Sequence, residues 1–418
     1  MTDLSKSVTV AAGCPAHAAA GSSVPAVPVP GMVTLDGLHP VLPVHWRPER
    51  GMGYWSVTRY AEVDRVLRET ATFTSERGTM LCLLGKDDPA AGRQMAATDP
   101  PRHRQLRDPL QRALNVKSTE ARREQIRATA VDAVRPFGDG GYDLAAGTAL
   151  FAVAVVGGIM DLPRADWPGL VSATMAAVAP ADPATGRTGD PDVVLAAAHR
   201  ELFGYLQDMV AHRRRHPGDD LISSLLGMEM DGRPLSPGEI VSNCYSLLLG
   251  ASVTVAHVAP STLRELMGTP GLEKWADTPQ LLQPGVEEAL RWSCPAAHFL
   301  RHASRDTEIG GQAVAAGDPV VVWLGSANRD PEMFADPFTF DPGRRPNKHL
   351  SFGIGPHYCV GHTVARISLR LLFAELFSRF TELTPVGPAA PLRSDIVTGW
   401  TAMPITARPR PRVRPPAY

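Results

Sequence analysis

The sequence predicts a mostly α-helical protein with small β-sheets, and three observations carry that expectation. Residues 144–160 and 240–263 contain no charged side chain, and apolar runs of that length belong to buried helices rather than strands. Helical patterning recurs over residues 102–137 and 360–379. Short β-type segments cluster at 301–322 between glycine turns, and no region alternates strand and helix as a dinucleotide-binding unit does.

Composition sets the bounds. Of 418 residues, 44% are hydrophobic and 20% charged, enough for a large core. At roughly 100–200 residues per domain the length alone suggests two or three domains. Lys plus Arg number 42 against 43 Asp plus Glu, and this balance argues against wholesale binding to nucleic acid or an anionic membrane. The five cysteines are an odd number, widely spaced and without a C-x-x-C pair. Neither a disulfide framework nor a zinc ribbon is indicated, and a reducing, cytoplasmic setting is expected.

Residues 1–30 read as a flexible leader: a loose Ala/Ser/Gly/Val/Pro stretch without the compact apolar core of a secretory signal. Gly53 to Thr58 reads as a strand running into an amphipathic helix, and 76–98 as a turn-rich loop. The run 144–160 stops at Asp161 to Pro163, and 180–191 is a Pro/Gly/Asp loop between two helices. Residues 213–220 form a charged turn. The second apolar run is long enough to span a membrane. It carries Ser242, Asn243, Ser246, Ser252, Thr254, His257, Ser261 and Thr262, groups costly against lipid and ordinary inside a protein. It is expected as a buried central helix. A short helix at 286–293, an irregular stretch at 328–348 and a final helix from 360 to 379 complete the pattern. The Arg/Pro tail from Arg408 is expected to enter neither helix nor central strand.

Residues 352–361 are the most informative segment. Gly353 and Gly355 permit a tight turn ahead of Cys359, and Cys359 opens a helix whose free N–H groups favour a thiolate. The third glycine of a dinucleotide fingerprint is missing at Tyr358. One Cys and one His are too few for zinc, and a cysteine nucleophile needs a facing base rather than His357 two residues away.

Phe352-Gly-Ile-Gly-Pro-His-Tyr-Cys-Val-Gly361 resembles the haem-binding signature of the cytochromes P450, F-G-x-G-x-H-x-C-x-G, at every fixed position. The resemblance spans about residues 45–407. It implies the P450 fold (α+β), with residues 31–418 as one haem domain in place of two or three. Cys359 would be the proximal ligand of haem b (iron protoporphyrin IX), with Phe352, Gly353 and Gly361 around it. Glu288-Ala-Leu-Arg291 matches the family's E-x-x-R helix, and Arg344 of Phe340-Asp-Pro-Gly-Arg344 its third member, a structural network holding the cysteine loop. Asp99-Pro-Pro-Arg-His103-Arg-Gln-Leu-Arg107 resembles the entry to the family's C helix. His103, Arg107, Arg301 and His357 would then meet the haem propionates.

The central helix departs from the family. The oxygen-groove pattern (Ala/Gly)-Gly-x-(Asp/Glu)-Thr-Thr stands here as Gly250-Ala251-Ser252-Val253-Thr254-Val255. Thr254 is kept, and Val253 replaces the proton-relaying acid. Ser252 and His257 are candidate substitutes, with substrate or ordered water as the alternative. The resemblance places the substrate pocket among 79–84, helices around 165–205, 246–254, 297–300 and 398–401, with Met80, Leu83, Phe299 and Trp400 as walls. It implies oxidation of a small natural product, by hydroxylation or epoxidation, or by oxidative aryl or C–N coupling of an aromatic or cyclic-peptide-like substrate. A non-catalytic interaction scaffold is the contrasting class. Electrons would come from ferredoxin and an NAD(P)H-dependent ferredoxin reductase, docked on a face bearing Arg112 and Lys348. A cytoplasmic monomer, free of membrane and nucleic acid, is expected.

Overall fold

The computed structural model describes residues 44–49, 52–139 and 141–411. The leader at 1–30 and the end of the Arg/Pro tail lie outside the described residues.

Thirteen α-helices are present among the described residues: α1 (Tyr60–Arg68), α2 (Arg102–Ala113), α3 (Val116–Glu120), α4 (Arg123–Val134), α5 (Leu144–Ile159), α6 (Trp167–Val178), α7 (Pro191–Arg215), α8 (Leu221–Leu226), α9 (Pro237–Leu266), α10 (Pro270–Asp277), α11 (Leu282–Ser293), α12 (Leu324–Ala327) and α13 (His362–Arg379). The two uncharged runs are α5 and α9, and they pack along each other more extensively than any other pair. Asp143 starts α5 by accepting the N–H groups of Ala145 and Ala146. Ser236 and Glu239 start α9 with a reciprocal capping box. Pro260 lies inside α9 without ending it. Packing on all sides compensates the lost backbone bond there. Alpha helices 5, 6, 7, 11 and 13 surround α9, so its side chains are core rather than lipid-facing, although α9 is long and apolar enough to cross a membrane. Close approach needs Gly157 of α5, where a Cβ would sit 2.6 Å from Trp167 of α6.

A five-stranded sheet runs in the order 44–49, 52–57, 319–323, 298–303, 73–74. The pair 52–57 and 319–323 is parallel and the rest antiparallel. Its strand His298–Ala303 holds the loop that follows 73–74. Leu300 donates to the Thr79 carbonyl at 2.8 Å, and Leu81 donates to His298 Nε2 at 2.9 Å. The loop 76–98 is thereby hung over the interior.

Three boundaries differ from expectation. Helix α11 begins at Leu282 rather than 286, since Pro284 falls in the first turn, where no intrahelical N–H is required. Helix α13 begins at His362, so Cys359 occupies the turn before it. Arg408 and Pro409 do enter a strand, Pro404–Pro409, central in a three-stranded sheet. The third strand, Tyr142–Asp143, pairs only with Ile405 and Pro404, so at Arg408 and Pro409 the sheet is already an edge, where proline is tolerated.

Candidate active site

Cys359 is placed by a turn that only glycine fits. Gly353 and Gly355 have φ of +65° and +75°, and a Cβ on Gly355 would sit 2.8 Å from the Leu67 carbonyl oxygen. The Cys359 N–H closes the turn on the Phe352 carbonyl at 2.8 Å. Burial pushes the Cys359 thiol above its ordinary pKa, despite Gly361 and His362 N–H groups and the charges of Arg107 and Arg366 pulling the other way. The N–H groups do favour a thiolate, as expected of this position, and burial outweighs them in the free thiol. A haem iron held by Cys359 would supply the missing charge, because a coordinating thiol is deprotonated outright.

The loop is fastened to α11 twice. Glu288 and Arg291 are fully buried and doubly bonded, at 2.8 Å each. Arg344 Nε lies 3.1 Å from both Glu288 oxygens, and Asn347 and the Asp341 N–H also donate to Glu288 at 3.0 Å. Arg291 donates in addition to the carbonyls of Asn328 and Pro337. The second fastening was not visible in the motifs. Glu287 binds Arg366 at 2.7 and 2.9 Å and His349 at 3.2 Å. Arg366 in turn lies over the Phe352 ring at 4.5 Å. Asn328 accepts the Leu350 N–H at 2.7 Å and donates to Ser351. The paired acids at 287 and 288 are the signal that would have found Glu287, since adjacent helix residues face different neighbours.

On the other side of the cysteine, four cationic or imidazole groups converge. The rings of His103 and His357 lie 4.4 Å apart. His357 Nε2 is 3.2 Å from Ser75 Oγ and 3.5 Å from Asp99, a carboxylate that motif matching left without a role. Arg301 is buried and, among the described residues, donates only to the Leu300 carbonyl, with its Nε unpartnered. His103 Nε2 is likewise buried without a partner among the described residues. Arg107 makes no hydrogen bond or ion pair with another described residue. Burial, then the charges of His357 and Arg107, pushes His103 down to about 3, and burial lowers Arg301 to about 10. Unpartnered buried groups of this kind call for a polar ligand, and an anion suits the two guanidinium groups. They fit the two carboxylates of a haem, with Cys359 as axial thiolate. Among the described residues no cluster of three His, Cys, Asp or Glu side chains offers an alternative metal site.

Cys359, His103, Arg107, Arg301, His357, Phe352, Gly353 and Gly361 all line one cavity of about 1390 Å³. Gly250, Ala251, Val253 and Thr254 line it too, as do Met80, Leu83 and Phe299. Trp400 does not: its backbone N–H donates to His257 Nδ1 at 3.4 Å and its ring faces Arg264, so residues 393–397 rather than 398–401 form that wall. Ser252 is also turned away, buried and donating to the Leu248 carbonyl at 2.7 Å. His257 is fully buried and lowered by that burial to about 4. Both fall outside the cavity wall, so neither stands in for the absent acid. The Thr254 hydroxyl donates to the Gly250 carbonyl at 2.7 Å. Val253 is 4% exposed, among Val178, Ala179, Leu392 and Val397.

A half-buried cysteine on a glycine turn, facing unpartnered cationic and imidazole groups, fits a haem-thiolate protein. Comparison with known proteins makes the class specific. The cytochrome P450 family model matches residues 274–398. The cytochrome P450 NovI of Streptomyces niveus is 32% identical over 373 residues, covering 87% of this chain and 89% of NovI. The erythromycin C-12 hydroxylase of Saccharopolyspora erythraea is 33% identical, over 86% of this chain and 91% of that enzyme. A Mycobacterium marinum cytochrome P450 solved with pseudoionone superposes with a TM-score of 0.80 at 30% identity, over 87% of this chain and 91% of that one. The chain belongs to the cytochrome P450 family and is a P450 enzyme of the monooxygenase/oxidase class.

Proposed function

We propose that this P450 inserts oxygen from O2 into a small natural product, by hydroxylation or epoxidation. The observation that carries the reading is the single cavity joining Cys359, Thr254 and walls at Met80, Leu83 and Phe299. Cys359 would hold haem b, and His103, Arg107, Arg301 and His357 its propionates. Bound haem supplies the iron at which O2 is activated, with thiolate ligation favouring O–O cleavage. The chain's own residues do the rest. The apolar walls orient substrate and exclude bulk water. Thr254 holds its proton on the Gly250 carbonyl at rest and, by rotation, can steady an ordered water in the groove. Electrons are supplied by ferredoxin and an NAD(P)H-dependent ferredoxin reductase, in the cytoplasm, with Arg112 and Lys348 exposed for an acidic partner.

Val253 favours a second reading. With an apolar cluster where the relay acid stands, a substrate OH or NH can deliver protons, as oxidative aryl or C–N coupling requires. Haem-loaded protein supplied with ferredoxin, reductase, NAD(P)H and a panel of macrolides, terpenoids and cyclic peptides separates the two. Gain of one oxygen atom is expected; loss of two hydrogens without oxygen gain supports coupling. No turnover of any kind with a coupled electron supply refutes both.

A further inference from the structure

Most of the cavity wall is apolar, yet besides the groups facing Cys359 three further side chains, on α7 and α9, reach it without a hydrogen-bond partner among the described residues. Tyr245 of α9 stacks on Phe203 of α7, centroids 4.7 Å apart and planes at 15°. His199, one turn before Phe203, meets Tyr245 edge-on at 5.6 Å and 85°. This ladder fixes the rings without satisfying their polar atoms. Neither the phenol hydroxyl nor the His199 nitrogens hydrogen-bond to another described residue. Burial raises the phenol pKa and lowers that of His199, so both side chains are neutral near pH 7. Ser246 is the third group. Ser252 and Thr254 donate to the carbonyl one turn back, whereas the carbonyl one turn before Ser246, that of Ser242, receives Gln94 Nε2 at 3.0 Å. The Ser246 hydroxyl makes no hydrogen bond with a described residue. Helix packing explains the aromatic rings, and phenylalanine would pack as well at 245. It does not explain the hydroxyls, which need a partner.

We infer that Tyr245, His199 and Ser246, all lining the cavity, form a polar subsite that holds a hydroxyl, carbonyl or amide group of the substrate, remote from the carbon oxidised. The inference rests on the haem-oxidation reading of this cavity and narrows its substrate class. Ser246, Gly250 and Thr254 follow at four-residue steps on one face of α9, so the helix rise sets Ser246 about 12 Å from Thr254. The substrate is therefore an elongated, largely apolar molecule with a hydrogen-bonding group about that far from its reacting end, and not a plain hydrocarbon.

The test uses haem-loaded protein and two series of N-alkylimidazoles, with chains ending in methyl or in hydroxyl. The imidazole nitrogen ligates the iron, so the Soret shift reports binding whatever the tail does. At the chain length that reaches the subsite, the hydroxyl tail is expected to bind about tenfold tighter than its methyl counterpart. Tyr245→Phe should remove most of that difference and leave the methyl series unchanged, with His199→Leu and Ser246→Ala reducing it further. No hydroxyl preference at any length, or a preference unchanged in all three variants, overturns the inference. A Soret band that does not respond to imidazole itself defeats the haem reading, and the inference falls with it.

Discussion

Val253 stands where a relay acid would sit, and its surroundings are as changed as the residue. Its side chain packs with Val178, Leu392 and Val397 between α6, α9 and the 392–397 loop. An acid there would be set against these aliphatic groups and lose part of its hydration, while Val253 also borders the cavity. Val253→Asp is therefore expected to lower stability by about 2–4 kcal/mol, read as a fall in melting temperature, with no gain in coupling of electrons to product. Unchanged stability with improved coupling would show that water reaches this position. Ser252 teaches the same lesson at its own scale. Sequence spacing put it in the groove, but a serine within a helix readily spends its hydroxyl on the carbonyl one turn back, and Ser252 does so.

At the scale of elements, the cysteine loop is stable because α11 presents two adjacent carboxylates to it. Glu288 is 0% exposed and holds two guanidinium groups. Glu288→Gln leaves Arg291 and Arg344 buried without a counter-charge and is expected to cost about 3–5 kcal/mol, measured by urea unfolding, with loss of haem at lower denaturant. Glu287 adds a pH dependence. Burial alone would raise its carboxyl pKa, but hydrogen bonds from His349 and Arg366 hold it down to about 2 from 4.5. A depressed carboxylate contributes stability that is fully present above about pH 4.5 and is lost as pH falls through about 2. Glu287→Gln should flatten the stability profile across that window, and an unchanged acid limb would contradict the role given to Glu287.

Across the whole molecule, the legible parts were those written in local pattern. The uncharged runs announced α5 and α9, and the ten residues from Phe352 to Gly361 located the cysteine turn, because glycine requirements and helix periodicity act over a few residues. What stayed hidden depends on which way a side chain faces after distant segments meet. Trp400 looked like a pocket wall, and its backbone instead bonds His257 while its ring faces Arg264. Asp99 acquires its role only when residues 75 and 357 are brought beside it. The Tyr245 hydroxyl is distinctive only once α7 covers its ring.

The central claim, that Cys359 is a haem-iron thiolate ligand held by the α11 network, is tested most directly by one spectrum. Haem-loaded protein is reduced, exposed to carbon monoxide and compared with Cys359→Ser. The native chain should give the strongly red-shifted Soret band of a thiolate-ligated haem, and the serine variant should lose it, since serine is no soft anionic ligand at neutral pH. A native band at the position typical of imidazole ligation, or a serine variant that keeps the red-shifted band, would contradict the account.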